Sequence, residues 1–235
     1  MQRFVSVAKY LTIWGRFTAS RPSFGSIGAG SVYFPVIGFT LGLVLAFSNY
    51  ALAPYLPTEI LSITLIMVLI LLTGGLHFEA LYLAFAGKNP KISSVDRREN
   101  DALGTIALVM VLLFKAAALD SIDQKVTVSL LLAPVLARWT LLVFIFGYQE
   151  RCEETAKAMA QQIKLWHLLL ATAGTLGLAS YWLDRRGLWV ALVLSAFSLL
   201  ARNLFYRVRG MITSQHFGAM IEFAETLSLA LLASI

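Results

Sequence analysis

The sequence predicts an all-α fold: a polytopic bundle of about seven transmembrane helices, preceded by an N-terminal interfacial amphipathic helix. Three features carry that expectation. Hydrophobic residues fill 58% of the 235 positions and charged residues only 14%, against about 25% charged in a soluble domain. The apolar residues gather in runs close to the roughly 20 residues a helix needs to cross a bilayer. Loops rich and poor in lysine and arginine alternate from one run to the next, as they do when cytoplasmic loops retain positive charge. The length suits a single integral-membrane domain spanning residues 1–235.

The elements follow in order. In MQRFVSVAKYLTIWGRF, Phe4, Ala8 and Leu11 share one helical face, and Lys9 and Arg16 the opposite one. That is the pattern of a helix lying in the membrane interface. Lys9 interrupts the apolar run and no small-x-small cleavage site follows closely, which argues against a signal peptide. The first span covers about residues 31–53 and the second about 58–75, running on into GGLHFEALYLAFAG at 74–87. The third to fifth spans fall at about 102–119, 127–148 and 165–183. The sixth and seventh, about 187–201 and 217–235, are short enough to be tilted or partly re-entrant.

The loops set the expected topology. Arg3, Lys9, Arg16 and Arg21 precede the first span, and Lys88, Lys91, Arg97 and Arg98 follow the second. Arg151, Lys157 and Lys164 follow the fourth, and Arg202, Arg207 and Arg209 the sixth. The intervening loops hold only Lys125, Arg185 and Arg186, so the two sides carry 14 and 3 cations. The N-terminus is therefore expected in the cytoplasm and the C-terminus on the far side. The net charge of +6 is a membrane address spread over several loops. It implies a lipid bilayer as partner and no nucleic acid. The single cysteine, Cys152, excludes an intramolecular disulfide and a cysteine-rich metal site, and its charged neighbours mark it as an exposed thiol.

Six ionisable residues fall inside the spans: His77, Glu79, Lys115, Arg138, Glu222 and Glu225. Such groups are costly at bilayer depth and face a bundle interior. Glu222 and Glu225 are three apart and share a helical face. Two carboxylates so placed repel unless a cation stands between them. Lys115, Arg138 or a hard metal such as Mg²⁺ would serve, and structural pairing with the two basic residues is one open reading. His77 and Glu79, two apart, point about 200° from each other on a regular helix. Gly74 and Gly75 give a reason for irregularity just before them.

TGGLHFEAL resembles the signature of the cobalamin synthase family (adenosylcobinamide-GDP ribazoletransferase), roughly T-G-x-x-H-x-D-G-L-A-D-x-x-D-G followed by a charged loop ending in D-S-R-x-G. Thr73, Gly74, His77, Leu81 and Gly87 match, and Glu79 replaces the first aspartate. YFPVIGFTLG at 33–42 resembles the opening of the family's first span. LGTIALVMVLLFK at 103–115 supplies the family lysine as Lys115, and LARWTLL at 136–142 its arginine as Arg138. GMITSQHFGAMIEFAE at 210–225 is similar to the C-terminal motif, with Gly210, Thr213, Gly218, Ala219, Glu222 and Glu225 in place. There are departures. The second and third signature aspartates fall on Leu83 and Ala86, the D-S-R triplet on Asn100, Asp101 and Ala102, and the C-terminal Gly-Asp on Ser214 and Gln215.

The resemblance implies a transferase that joins a corrinoid nucleotide, adenosylcobinamide-GDP, to α-ribazole or its 5′-phosphate with release of GMP. It implies Mg²⁺ held by Glu79, Glu222, Glu225 and Asp101, the last by a one-residue shift. It also implies His77 as base, Arg138 and Lys115 as phosphate clamps, and Gly210, Thr213 and Gly218 at the substrate. The loss of two acidic ligands implies weak Mg²⁺ binding. The expected setting is the cytoplasmic membrane of a bacterium or archaeon with the active side cytoplasmic, and a homo-oligomer is left open. A non-catalytic corrinoid-binding or partner subunit on the same scaffold is the alternative. A secondary transporter would share the buried acids but should show an inverted repeat.

Overall fold

The structure is a computed structural model that describes residues 1–18, 20, 22–86, 94–148 and 152–235, with the backbone alone over 94–100. Arg21, Gly87, Lys88, Lys91 and Arg151, and the side chains of Arg97, Arg98 and Asn100, lie outside the described residues. Among those described the chain is helical, and the only β pairing among them is an isolated bridge between Cys152 and Ile212.

Within the described residues ten α-helices follow one another: α1 (Gln2–Leu11), α2 (Phe24–Ala29), α3 (Phe34–Leu52), α4 (Thr58–Thr73), α5 (Leu76–Ala86), α6 (Ser94–Asp120), α7 (Val126–Ile145), α8 (Glu154–Gln162), α9 (Leu165–Arg209) and α10 (Ser214–Ala233). Five of them, α3, α6, α7, α9 and α10, are long and apolar enough to cross a bilayer, and α4 with α5 would make a sixth as a broken pair. The centre is α7, buried along nearly its whole length from Ser129 to Ile145. Leu132, Val135, Leu136 and Leu141 are fully buried there. α3, α9 and α10 surround it. Such an all-round apolar helix has to sit inside a bundle.

Helix α9 is too long for one crossing: its 45 residues would span about 68 Å as a straight helix, twice the hydrocarbon core. It is a hairpin. Asp184 breaks the helical backbone at φ 51° and ψ −135°. Adjacent residues of α7 touch both arms: the Trp139 indole donates to Thr172 Oγ1 at 3.0 Å, and the Thr140 carbonyl accepts from Ser198 Oγ at 3.4 Å. Thr172 and Ser198 would be about 39 Å apart on a continuous helix. The two arms fall where the sequence places the fifth and sixth spans, and Arg185 and Arg186 mark the reversal.

The loops sort to two ends of the bundle as the alternating cations require. At one end Arg202 donates to the carbonyls of Phe144 and Phe146, and Arg209 to those of Ala84 and Phe85. At the other, Lys125 donates to the Trp182 carbonyl at 3.3 Å, Arg186 to the carbonyl of the C-terminal Ile235, and Ser62 to Asp120 at 3.4 Å. The cation-rich end also carries a cap of short helices. Val7 and Leu11 of α1, Ile27 of α2 and Ala156 and Met159 of α8 are all fully buried within it. The inward face of α1 is thus Val7, Ala8 and Leu11, with Phe4 half-buried against the Tyr33 ring. Lys9 and Arg16 do not point into open water as an isolated interfacial helix would have them. They line a cleft.

One expectation is corrected here. The second span does not run straight on through 74–87. Gly74 and Gly75 both take positive φ, 64° and 68°, a left-handed turn that glycine adopts without strain. The chain bends by 88° between α4 and α5. The irregularity foreseen at this diglycine is therefore a full corner, and it turns α5 across the end of α4.

Candidate functional site

The described ionisable residues of the spans divide into two sets. The deeper set is a closed charge cluster joining three helices. Lys115 Nζ of α6 donates to Glu222 Oε2 at 2.5 Å and to Glu225 Oε2 at 3.1 Å, and Arg138 Nη1 of α7 donates to Glu225 Oε1 at 2.6 Å. None of the four side chains is more than 2% exposed. Two cations balance two carboxylates, so the cluster is neutral. Lys115 separates the two glutamates of α10, as their shared face demands. Its ammonium also lies 5.2 Å from the Phe78 ring centre, a favourable cation–π distance.

The second set lines an open cleft of about 740 Å³ at the cation-rich end, within the range usual for ligand pockets. One wall is α5, which presents His77, Glu79, Ala80 and Leu83. The N-terminal segment supplies Lys9, Tyr10 and Arg16, and the start of α10 supplies Ser214, Gln215 and Gly218. Burial pushes the Tyr10 hydroxyl up, so it stays a neutral donor. Arg16 Nη2 donates to Glu79 Oε2 at 3.2 Å across the mouth, both side chains about half exposed. His77 is 3% exposed, its ring meets the Leu11 backbone, and its Nε2 has no partner. A buried nitrogen left without a partner in a cleft marks a place where a ligand or water completes the site.

Local structure fixes these walls. The Arg209 guanidinium satisfies the last carbonyls of α5 at Ala84 and Phe85, a C-terminal cap by a cation. Gly210, at φ 75°, ends α9. Thr213 is the N-cap of α10, and its N–H donates to His216 Nδ1 at 2.9 Å. Glu153 holds the same corner, with its N–H on the Ile212 carbonyl at 2.8 Å and its carboxylate accepting from the Ser214 N–H at 3.4 Å. Gly210 and Thr213 therefore shape the turn that aims α10 at the cleft, and neither lines it. Gly218 does line it, at the closest approach of α5 and α10. A Cβ there would lie 2.4 Å from that of Ala80. Gly218→Ala should push the two helices apart at a cost of about 1–3 kcal/mol, read as a lowered Tm in detergent. An unchanged Tm would mean the helices can part freely.

The structure departs from the expected ligand set. Glu79, Asp101, Glu222 and Glu225 do not converge. Glu79 bonds Arg16, Asp101 accepts from the Tyr82 hydroxyl at 3.0 Å, and the other two are locked in the deep cluster. Among the described residues no three His, Cys, Asp or Glu side chains are grouped to hold a metal. Lys115 and Arg138, expected as phosphate clamps, are fully buried on the glutamates and absent from the cleft wall. Cys152 is half-buried rather than exposed: its thiol donates to the Tyr148 carbonyl, and burial pushes it up. Sequence reasoning missed Lys9 and Arg16 as cleft residues. Their signal, a basic helical face, was visible but reads equally well as membrane contact.

The profile of the family described as cobalamin-5-phosphate synthase matches residues 3–233. Among similar curated proteins, the adenosylcobinamide-GDP ribazoletransferase of Geotalea daltonii is 31% identical over 89% of this chain and 87% of its own length. Proteins of the same name from Synechococcus sp. and Pseudomonas putida are 30% and 28% identical, over 82% and 87% of this chain and the same shares of their own. No solved structure matches.

Proposed function

The chain belongs to the cobalamin-5-phosphate synthase family, and from that membership we propose that it performs the reaction its relatives are named for, the final joining step of cobalamin synthesis. Adenosylcobinamide-GDP and α-ribazole, or its 5′-phosphate, would give adenosylcobalamin, or its phosphate, and GMP. The observation that carries this reading is a juxtaposition. Motif residues far apart in the chain, His77 and Gly218, meet in one cleft beside two N-terminal cations.

The chemistry is a displacement at phosphorus. A ribazole hydroxyl oxygen forms the new P–O bond, the bond to GMP breaks, and the hydroxyl proton needs an acceptor. His77 supports that role. Its Nε2 carries no other bond, and an acceptor must lie within hydrogen-bond reach of the proton it takes. The deep cluster holds α6, α7 and α10 in register beneath the site.

Among the described residues the donor set does not fit the Mg²⁺ ion that the resemblance implies. Glu222 and Glu225 are already neutralised, and Glu79 shares its cleft with two cations. The two lost aspartate positions should differ in consequence. Leu83 lines the cleft one turn from Glu79, so Leu83→Asp is expected to fold and to gain a Mg²⁺-dependent rise in Tm. Ala86 is 5% exposed and packs toward Gly104 of α6. Ala86→Asp should lose about 3 kcal/mol or more. Equal behaviour of the two variants would overturn this placement.

The deciding experiment is turnover by the purified protein with adenosylcobinamide-GDP and α-ribazole, followed by GMP release. Corrinoid binding without GMP release would instead favour a non-catalytic corrinoid-binding subunit. We also place the cleft on the cytoplasmic face of the membrane, on the 14 to 3 cation bias. Reporter fusions at Ala156 and Arg207 should read cytoplasmic, and a fusion after Ile235 should read from the other side.

A further inference from the structure

The cleft holds more positive charge than its one internal pair uses. Among the described residues Lys9 has no hydrogen-bond or ion-pair partner, and Arg16 has one, Glu79. That contact is one Nη2–Oε2 approach at 3.2 Å between half-exposed side chains. It is not the bidentate fork that makes an arginine–carboxylate pair strong, and exposed single pairs are worth little. The guanidinium therefore keeps most of its five donors for another anion. His77, whose buried Nε2 has no partner, lines the same cleft. Among the described residues, two cations and His77 line one space in which Glu79 is the one carboxylate.

We infer that Arg16 and Lys9 form the binding site for the pyrophosphate group of the nucleotide substrate, and that Glu79 is a placeholder which yields Arg16 when the phosphates arrive. The inference rests on the reaction proposed above. It assigns the N-terminal segment a substrate-binding task in addition to its packing. A diphosphate carries charge enough to displace one carboxylate from a planar fork, and Arg recognises phosphate oxygens two at a time. The displaced Glu79 then turns toward solvent, where it is already 61% exposed.

The test uses the full chain in detergent and inorganic pyrophosphate as probe, with affinity measured by calorimetry. Wild type should bind it, and Arg16→Gln should weaken binding at least tenfold. Glu79→Gln should strengthen it several-fold, because it frees the guanidinium. A merely structural ion pair predicts that neither change alters affinity, or that both lower it, and either result overturns the proposal. If Arg16→Gln does not fold, the sign of the Glu79→Gln effect alone decides. A lipid phosphate offers the same chemistry. Pyrophosphate binding abolished by added phosphatidylglycerol, and not by phosphatidylcholine, would assign the cleft to a headgroup and overturn the proposal as well. The two readings can fail separately. Pyrophosphate binding with the expected variant pattern but no GMP release would remove the reaction and keep the site. Normal turnover with an unchanged KM in Arg16→Gln would keep the reaction and remove the site.

Discussion

Replacing Lys115 by methionine is expected to destabilise the protein by about 3–5 kcal/mol, enough to abolish a cooperative thermal transition in detergent. The figure is the usual consequence of removing one partner from a fully buried ion pair. Lys115 is the only described cation within reach of Glu222, at 2.5 Å. Without it the Glu222 carboxylate stands buried and unpaired, and Glu225 keeps only Arg138. The cluster then carries a net negative charge in an apolar bundle. A second change makes the argument specific. Lys115→Met with Glu222→Leu removes one charge of each sign and leaves the Arg138–Glu225 pair intact. That double variant should recover most of the lost stability, since an apolar replacement for a buried ion pair is often neutral. If the double variant is as unstable as the single one, packing around the lysine stem matters and charge balance does not.

His77→Ala is expected to lower the rate of GMP release by about 10²–10⁴-fold, the usual contribution of a positioned general base, with substrate binding less affected. His77 sits on the first turn of α5, just after the 88° corner, lining the cleft with its Nε2 buried and unpartnered. The Tm must be followed alongside, because the ring is buried and its removal leaves a small void. A variant that folds and retains more than a tenth of the wild-type rate would take His77 out of the base role.

Much of the fold was legible because hydropathy and charge are read residue by residue. The runs at about 31–53, 102–119, 127–148 and 217–235 lie on α3, α6, α7 and α10, and Arg185–Arg186 flagged the hairpin in α9. The diglycine announced a break, but not its angle, because an 88° corner depends on what α5 packs against. The site was half legible. His77, Glu79 and Gly218 meet in one cleft, and the pairing of Glu222 and Glu225 with Lys115 and Arg138 was one of the open readings. Which carboxylates find cations and which stay free is a three-dimensional question. Glu225 and Glu79 both read as membrane-depth acids, yet one is 1% exposed and the other 61%. Arg16 was illegible for the opposite reason. A basic residue before the first span already has an explanation in topology, and nothing in its neighbours says that it reaches 63 residues along the chain to Glu79.

The deep cluster also imposes an order on biosynthesis. Lys115 and Arg138 precede their carboxylate partners by 107 and 87 residues. At ribosomal speeds of about 5–20 residues per second, Arg138 is made roughly 4–17 s before Glu225. During that interval two cations belong to segments entering the bilayer with no counter-charge yet synthesised. Until α10 is made, α6 and α7 each carry a buried-type cation without its partner, at a cost of about 3 kcal/mol apiece on insertion scales. The last helix acts as the clasp of the bundle: a chain that ends before residue 222 holds two cations whose partners are missing.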